Sequence, residues 1–186
     1  MTIYCAPLSG SDGSLAVYSL LRYAFNSEYG GAFPENKKTP NGKPYFPARR
    51  DIHFSLSHSR AHVLCALSGQ PVGADIESPR LISERAIKFF CSPAELALFG
   101  PLEIWVLKES YIKLVGGTLA IIKNLRFSRD SGAEGRLTCT QIDVQVNSSE
   151  IHAKLYHIGD CPAAVCSLGD QPPDSVELVN GSQFRY

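Results

Sequence analysis

Several features that would place a chain by composition alone are missing from this sequence. No apolar run among its 186 residues reaches the ~18 needed to span a bilayer. The opening Met1-Thr2-Ile3-Tyr4-Cys5 lacks the basic stretch and apolar core of a secretory signal. Both absences predict a cytoplasmic protein with no membrane partner. Neither sign of charge is in excess, with 18 Lys and Arg against 18 Asp and Glu. A chain held on nucleic acid by bulk charge would be basic, so no nucleic-acid partner is expected. Cysteine occurs six times, at 5, 65, 91, 139, 161 and 166, and never as C-x-x-C. Cys161 and Cys166 have no second pair to complete a zinc site. Their scatter, partly inside apolar runs, fits buried, reduced thiols. No G-x-S-x-G, G-x-x-x-x-G-K-[ST] or G-x-G-x-x-G occurs. That removes the hydrolase elbow, the P-loop and the dinucleotide fingerprint.

What is present suffices for a folded core. The chain is 44% hydrophobic and 19% charged, long enough for one domain or two small fused ones. Residues 14–25 carry a helical pattern, with Ser14 as N-cap and Leu15, Tyr18, Leu21 and Phe25 on one face. Residues 26–47 read as surface chain, with turns at Gly30-Gly31 and Asn41-Gly42 and a short extended piece near Tyr45-Phe46. Residues 52–58 alternate strictly, so Ile52, Phe54 and Leu56 face one way and His53, Ser55 and Ser57 the other, as in a half-buried strand. Residues 61–67 suit a central strand and 72–77 another. Ser83 caps a helix over 84–90. Ser92-Pro93-Ala94-Glu95 is a strong helix start, with a stop at Gly100. Pro101 opens a helix that ends at Gly116-Gly117. Period two then marks 137–139, 142–146 and 151–155, with shorter strands at 163–165 and 176–178. Turns fall at 132–135, 147–149 and 159–162. The pattern predicts an α+β fold with antiparallel sheets, not a doubly wound one.

Four groups of residues could carry chemistry. Asp75 and Glu77 lie two apart on a strand and project to one face. Two carboxylates there suit Mg²⁺, although two solvated acids at a strand end would look the same. Trp105, Glu109 and Lys113 form a helical stripe, with Lys108 beside it. Glu109 four before Lys113 is also an ordinary helix ion pair. Ser57-His58-Ser59 closes a strand and can hold an anion, or simply hydrogen-bond a turn. His58 and His62 are four apart, but strand–turn–strand spacing argues against a shared metal. Gly42-Lys43-Pro44 is a stiff turn bearing one cation.

Taken together, GKPYF (42–46), FSLSHS (54–59), VGADIE (72–77) and WVLKESYIKLVGG (105–117) resemble the 4′-phosphopantetheinyl transferases, in particular their Sfp-type branch. The signature is G-x-D-x-E followed by W-x-x-K-E-x-x-x-K, and the likeness runs from about residue 40 to 180. The resemblance implies a pseudo-twofold pair of α+β halves with the site between them; we place the division near residue 74, giving halves 1–74 and 75–186. It implies transfer of the 4′-phosphopantetheine arm of coenzyme A to a carrier-protein serine, with release of 3′,5′-ADP. Asp75, Glu77 and Glu109 would hold Mg²⁺, with Mn²⁺ as an alternative. Glu109 would accept the serine proton. Lys113 and Lys108 would stabilise pyrophosphate charge. His58 and Ser57, with Asp75, would contact coenzyme A, His58 at its 3′-phosphate. Lys43 and Pro44 would line the nucleotide pocket. The implied partner is an acyl or peptidyl carrier protein of fatty acid, polyketide or nonribosomal peptide synthesis, and the implied state is a monomer.

The resemblance fails at the start of the chain. Relatives carry a longer basic segment before the first long helix, whereas none of the thirteen residues before Ser14 is Lys or Arg. Ser14 at a helix N-terminus, or Lys37, Lys38, Arg49 and Arg50, would have to replace it. Two rivals use the same residues: a non-catalytic coenzyme A or carrier-binding protein, and a metal-dependent phosphohydrolase.

Overall fold

Residues Ile3 to Ala6 are all buried, so no alternation announces the strand they form. In the computed structural model, which describes residues 1–8, 10, 12–129, 137–141, 151–180 and 183, this strand is β1 (Thr2–Pro7). It lies between β5 (His62–Ser68) and β11 (Glu177–Leu178) in a four-stranded sheet ordered β11-β1-β5-β4, with β4 spanning His53–His58. Only the β1–β11 pairing among these is parallel. A second sheet is antiparallel throughout, in the order β6-β10-β9-β8-β7. Its strands are β6 (Val72–Ile76), β7 (Leu125–Arg129), β8 (Leu137–Gln141), β9 (Ile151–Ile158) and β10 (Cys161–Leu168). A small hairpin pairs β2 (Lys37–Lys38) with β3 (Pro44–Tyr45). The expected α+β class with antiparallel sheets holds.

Period two explains the layering. Tyr4, Ala6, Phe54, Val63, Cys65 and Leu67 face α1 (Gly13–Glu28). Ile3, Cys5, Leu64 and Ala66 face the other way, onto Val72, Ala74 and Ile76 of β6 and onto β9 and β10. The opposite face of the second sheet, with Ala153, Ala164 and Cys166, packs on α4 (Pro101–Val115). The layers therefore run α1, first sheet, second sheet, α4. Fully burying each Leu- or Phe-sized side chain in these interfaces contributes about 1.5–3 kcal/mol. All six cysteines are free thiols. Among the described residues no helix is long and apolar enough to cross a membrane.

Several local expectations are corrected. Asp12, not Ser14, caps α1: its Oδ1 accepts the Leu15 N–H at 2.9 Å. The cap therefore lies two residues earlier, Ala16, Val17, Leu20 and Leu21 form part of the buried face, and Leu15 is exposed. Strand β4 is not half-exposed, because Ser55 and Ser57 are buried against β6. The serine-capped α2 (Glu84–Phe90) forms as expected. The capping box at Ser92 and Glu95 also forms, but α3 covers only Pro93–Leu96. The Leu98 and Phe99 N–H groups both turn to the Glu95 carbonyl, so the helix ends before Gly100. Gly116, in the left-handed conformation, ends α4. A 3₁₀ turn at Leu119–Asn124 and β7 had no clear sequence pattern. The strand expected over 142–146 and the turns at 132–135 and 147–149 lie outside the described residues.

Candidate active site

Strand β6 and helix α4 approach so closely that only glycine fits between them. A Cβ on Gly73 would stand 2.0 Å from the Ser110 carbonyl oxygen and 2.3 Å from the Leu114 nitrogen. This contact brings the next residue on the same face, Asp75, onto α4. Asp75 Oδ1 accepts from Lys113 Nζ at 2.7 Å and from Ser57 Oγ at 2.7 Å. Lys113 also donates to the Leu56 carbonyl. The Asp75 side chain is only 8% exposed.

Glu77 sits just beyond β6 and meets the other end of the helical stripe. Its Oε1 accepts from Trp105 Nε1 at 3.0 Å, and Arg80 donates to both its oxygens. Glu109 lies between these two pairs, half-buried. Trp105 and Lys113 are eight residues apart, about 12 Å along a helix. Asp75 and Glu77 are two apart, about 7 Å along an extended strand. The mismatch splays the two acids toward opposite ends of the stripe. Among the described residues no three acidic, His or Cys side chains stand gathered as a ready metal cage.

The ordinary Glu109–Lys113 helix pair does not form. Lys113 is taken by Asp75, and among the described residues Glu109 has no salt bridge. Burial, and then the neighbouring Asp75 charge, push the Glu109 carboxyl above the usual range. Lys113 opposes the shift, and Glu77 adds to it.

A cleft of about 450 Å³ opens beside this group, lined among others by Lys43, Pro44, Leu56, Glu109, Lys113 and Gly116. Two sequence motifs far apart in the chain thus share one wall. The Asn41 side-chain amide donates to the Gly116 carbonyl at 2.8 Å. Lys43 Nζ donates to the Leu114 carbonyl at 2.8 Å and to Val72 at 3.2 Å. The carbonyl end of a helix attracts such a cation. Burial pulls the Lys43 ammonium down to about 8. Its stem edges the cleft while its charge ties the turn to α4.

His58 ends β4, exposed, with its ring against the start of α1: a Cβ on Gly13 would stand 2.7 Å from its Nδ1. His58 stands opposite Val63, so His62, one residue before Val63, points to the other face of the sheet from His58. Among the candidates for the missing basic segment, Ser14 is exposed near that helix start. Arg49 pairs with Asp51, Lys37 with Glu35, and Arg50 stacks over Tyr45.

Lys108 is a correction. It is fully buried on the far side of α4 and donates to the Phe90 carbonyl and to Glu95. Glu95 also accepts from the Ser92 N–H and hydroxyl and from the Phe127 N–H. This pair joins α2, α3, α4 and β7 in the core, so Lys108 does not reach the cleft. A helix position adjacent to the stripe turns about 100° away from it, which the letters K-E side by side did not convey. Sequence reading also missed Asn41, Arg80 and the seam serine Ser55, whose Oγ accepts the Ala74 N–H at 2.9 Å. Arg80, three after Glu77, carried a charge-pair signal; Asn41 and Ser55 carried none.

Residues 71–166, just over half the chain, match the 4′-phosphopantetheinyl transferase superfamily. The chain is 30% identical over 150 residues to the 4′-phosphopantetheinyl transferase Sfp of Bacillus subtilis, covering 75% of this chain and 65% of that protein. It is 40% identical over 95 residues to the 4′-phosphopantetheinyl transferase gsp of Aneurinibacillus migulanus, covering 43% of this chain and 37% of that one. A second Bacillus subtilis 4′-phosphopantetheinyl transferase is 38% identical over 90 residues, covering 43% of this chain and 40% of its own length. With β6, the acids and α4 all inside the matched region, the chain belongs to the 4′-phosphopantetheinyl transferase superfamily. It spans less than two thirds of the length of these relatives.

Proposed function

We propose that this chain transfers the 4′-phosphopantetheine arm of coenzyme A to a serine hydroxyl of an acyl or peptidyl carrier protein, releasing 3′,5′-ADP. The observation that carries the reading is the meeting of Asp75 with Lys113 across β6 and α4, beside a cleft edged by Lys43 and Pro44. Family membership supports it. So does the absence of an enzyme serine motif, because the nucleophile belongs to the carrier.

The carrier serine oxygen attacks the phosphorus that bears the pantetheine arm. The bond from that phosphorus to the bridging oxygen breaks, and the nucleotide leaves. Glu109 takes the serine proton; a carboxyl raised by burial and by Asp75 is a better base than an ordinary one. Lys113 meets the negative charge of the pyrophosphate. Ser57 keeps Asp75 oriented, and His58 contacts the 3′-phosphate next to the start of α1. Lys43 and Pro44 shape the nucleotide end of the cleft.

Asp75, Glu77 and Glu109 are the residues that would hold Mg²⁺ or Mn²⁺. The donor set fits: it is oxygen only, as hard cations prefer, and its members repel one another through Glu109. Bound there, the ion would neutralise pyrophosphate charge. The division into halves near residue 74 belongs to the same reading, with the change of sheet falling just before it, between β5 and β6. So does a cytoplasmic, monomeric state.

Mass spectrometry of an apo carrier protein incubated with the chain, coenzyme A and Mg²⁺ tests the proposal. A gain of one phosphopantetheine arm supports transfer. Tight coenzyme A binding with an unmodified carrier makes the chain a binding protein. Coenzyme A cleavage without carrier modification makes it a phosphohydrolase.

A further inference from the structure

The acids at this site are already occupied by the protein's own cations. Asp75 is bound by Lys113 at 2.7 Å and Glu77 by Arg80 at 3.3 Å. Arg80 also lies over the Trp105 ring, 5.7 Å from its centre, while the indole N–H holds the same Glu77 oxygen at 3.0 Å. Glu77 is thus pinned on two sides and drawn toward the N-terminal half of α4, whereas Asp75 is drawn toward its C-terminal end. Three carboxylates face two ammonium or guanidinium charges, close to the charge a divalent ion would bring.

We propose that Arg80 and Lys113 are internal counter-ions of the acid cluster, holding Glu77 and Asp75 apart until a divalent cation displaces them. Metal entry is then an exchange: Glu77 gives up Arg80 and Asp75 gives up Lys113, which becomes free to meet phosphate. Arg80 acts as a positioning residue, since it touches Glu77 and not the reacting atoms. This inference rests on the metal-dependent reading above.

The exchange has a direct physical consequence. A pre-existing ion pair must be broken before the metal binds, so removing the competing cation tightens metal binding without adding any ligand. A general loss of positive charge nearby would also tighten it, but equally for charges that do not touch the acids, and salt would screen it. Arg85 supplies that comparison. It is exposed on α2 and, among the described residues, makes no ion pair.

The chain holds one tryptophan, Trp105, and its indole bonds to Glu77. Its emission therefore reports whether Glu77 has left its resting partners. The experiment compares wild type, Arg80→Gln, Arg85→Gln and Lys113→Met without coenzyme A. Mn²⁺ binding is counted from the electron paramagnetic resonance of free ion, and a Mg²⁺ titration is followed by Trp105 fluorescence. The expected result is that Arg80→Gln and Lys113→Met bind Mn²⁺ about three- to tenfold tighter than wild type. Arg85→Gln should match wild type, and Mg²⁺ should shift the Trp105 emission of wild type. Circular dichroism confirms that each variant is folded. Unchanged or weaker Mn²⁺ binding by folded Arg80→Gln overturns the proposal, as does equal tightening by Arg85→Gln. Absence of Mn²⁺ binding by wild type even with coenzyme A present removes the metal reading itself, a result separate from the other two.

Discussion

Asp75 and Lys113 are joined across the seam between β6 and α4, with Oδ1 and Nζ 2.7 Å apart. The contact exists because Gly73 lets the strand lie on the helix, and because Ser57 of the first sheet donates to the same oxygen. One carboxylate therefore links both sheets to α4. This makes it a poor candidate for a residue whose loss would be felt only in catalysis.

Asp75→Asn keeps the shape and removes the charge. It should lower the rate of carrier modification by at least about 100-fold, as expected for a lost electrostatic contact at transferring phosphate. It should also cost about 1 kcal/mol of stability, because Lys113 loses its partner but stays 30% exposed to water. For a chain of this size that is a fall in melting temperature of about 2–4 °C. Melts beside single-turnover rates check both. A variant that transfers at the wild-type rate would remove Asp75 from the site.

How far the letters reached depended on whether a residue's role was local. Helix starts at Ser83, Ser92 and Pro101, and the stop at Gly116, were legible because capping needs only neighbours in sequence. The G-x-D-x-E and W-x-x-K-E-x-x-x-K pieces were legible as motifs, and they do meet in space. Strand β1 was not, because a strand buried on both faces shows no alternation. Ser55 and Ser57 were misread as a solvent face, since a polar residue bonded to a neighbouring sheet's N–H groups looks the same in sequence as one bonded to water. Lys108 was misplaced for the reason that one residue along a helix changes its face.

Lys108 offers a test of that last correction. It forms a fully buried pair with Glu95, and removing one member of such a pair costs about 3–5 kcal/mol. Lys108→Met should therefore unfold at markedly lower urea concentration, with the coenzyme A KM of the folded fraction unchanged. A raised KM with normal stability would return Lys108 to the phosphate.

His58 is exposed, so its replacement should leave the fold intact. If it bonds the 3′-phosphate, His58→Ala should weaken coenzyme A by about ten- to hundred-fold, the worth of one charge-assisted hydrogen bond at 1.5–3 kcal/mol. Binding of 3′-dephospho-coenzyme A should be unaffected. Calorimetry with the two ligands decides, and equal losses would make His58 a packing residue for Gly13 and the start of α1.

Glu109 separates two accounts of the helix stripe by the sign of a stability change. As the partner of Lys113 it would stabilise α4, and Glu109→Gln would lose a few tenths of a kcal/mol. The structure gives Lys113 to Asp75 and leaves Glu109 half-buried, its carboxyl raised by burial first and by Asp75 next. A carboxyl raised in the folded state favours folding while it is protonated. That contribution is fully present below the ordinary value of 4.5 and is lost as the pH rises through the raised one. Once ionised, Glu109 is therefore a burden, and Glu109→Gln should melt above wild type at pH values above the raised one. The gap should close as the pH falls toward the ordinary glutamate range. Over the same range the wild-type transfer rate should fall, because a protonated Glu109 cannot take the serine proton. Glu109→Gln should lose about 10²- to 10⁴-fold in turnover, the usual contribution of a positioned base. Melts from pH 4 to 8 and carrier modification at saturating coenzyme A read both quantities on the same two proteins. A variant that melts lower than wild type at pH 7 and transfers at full rate would make Glu109 part of the scaffold and nothing more.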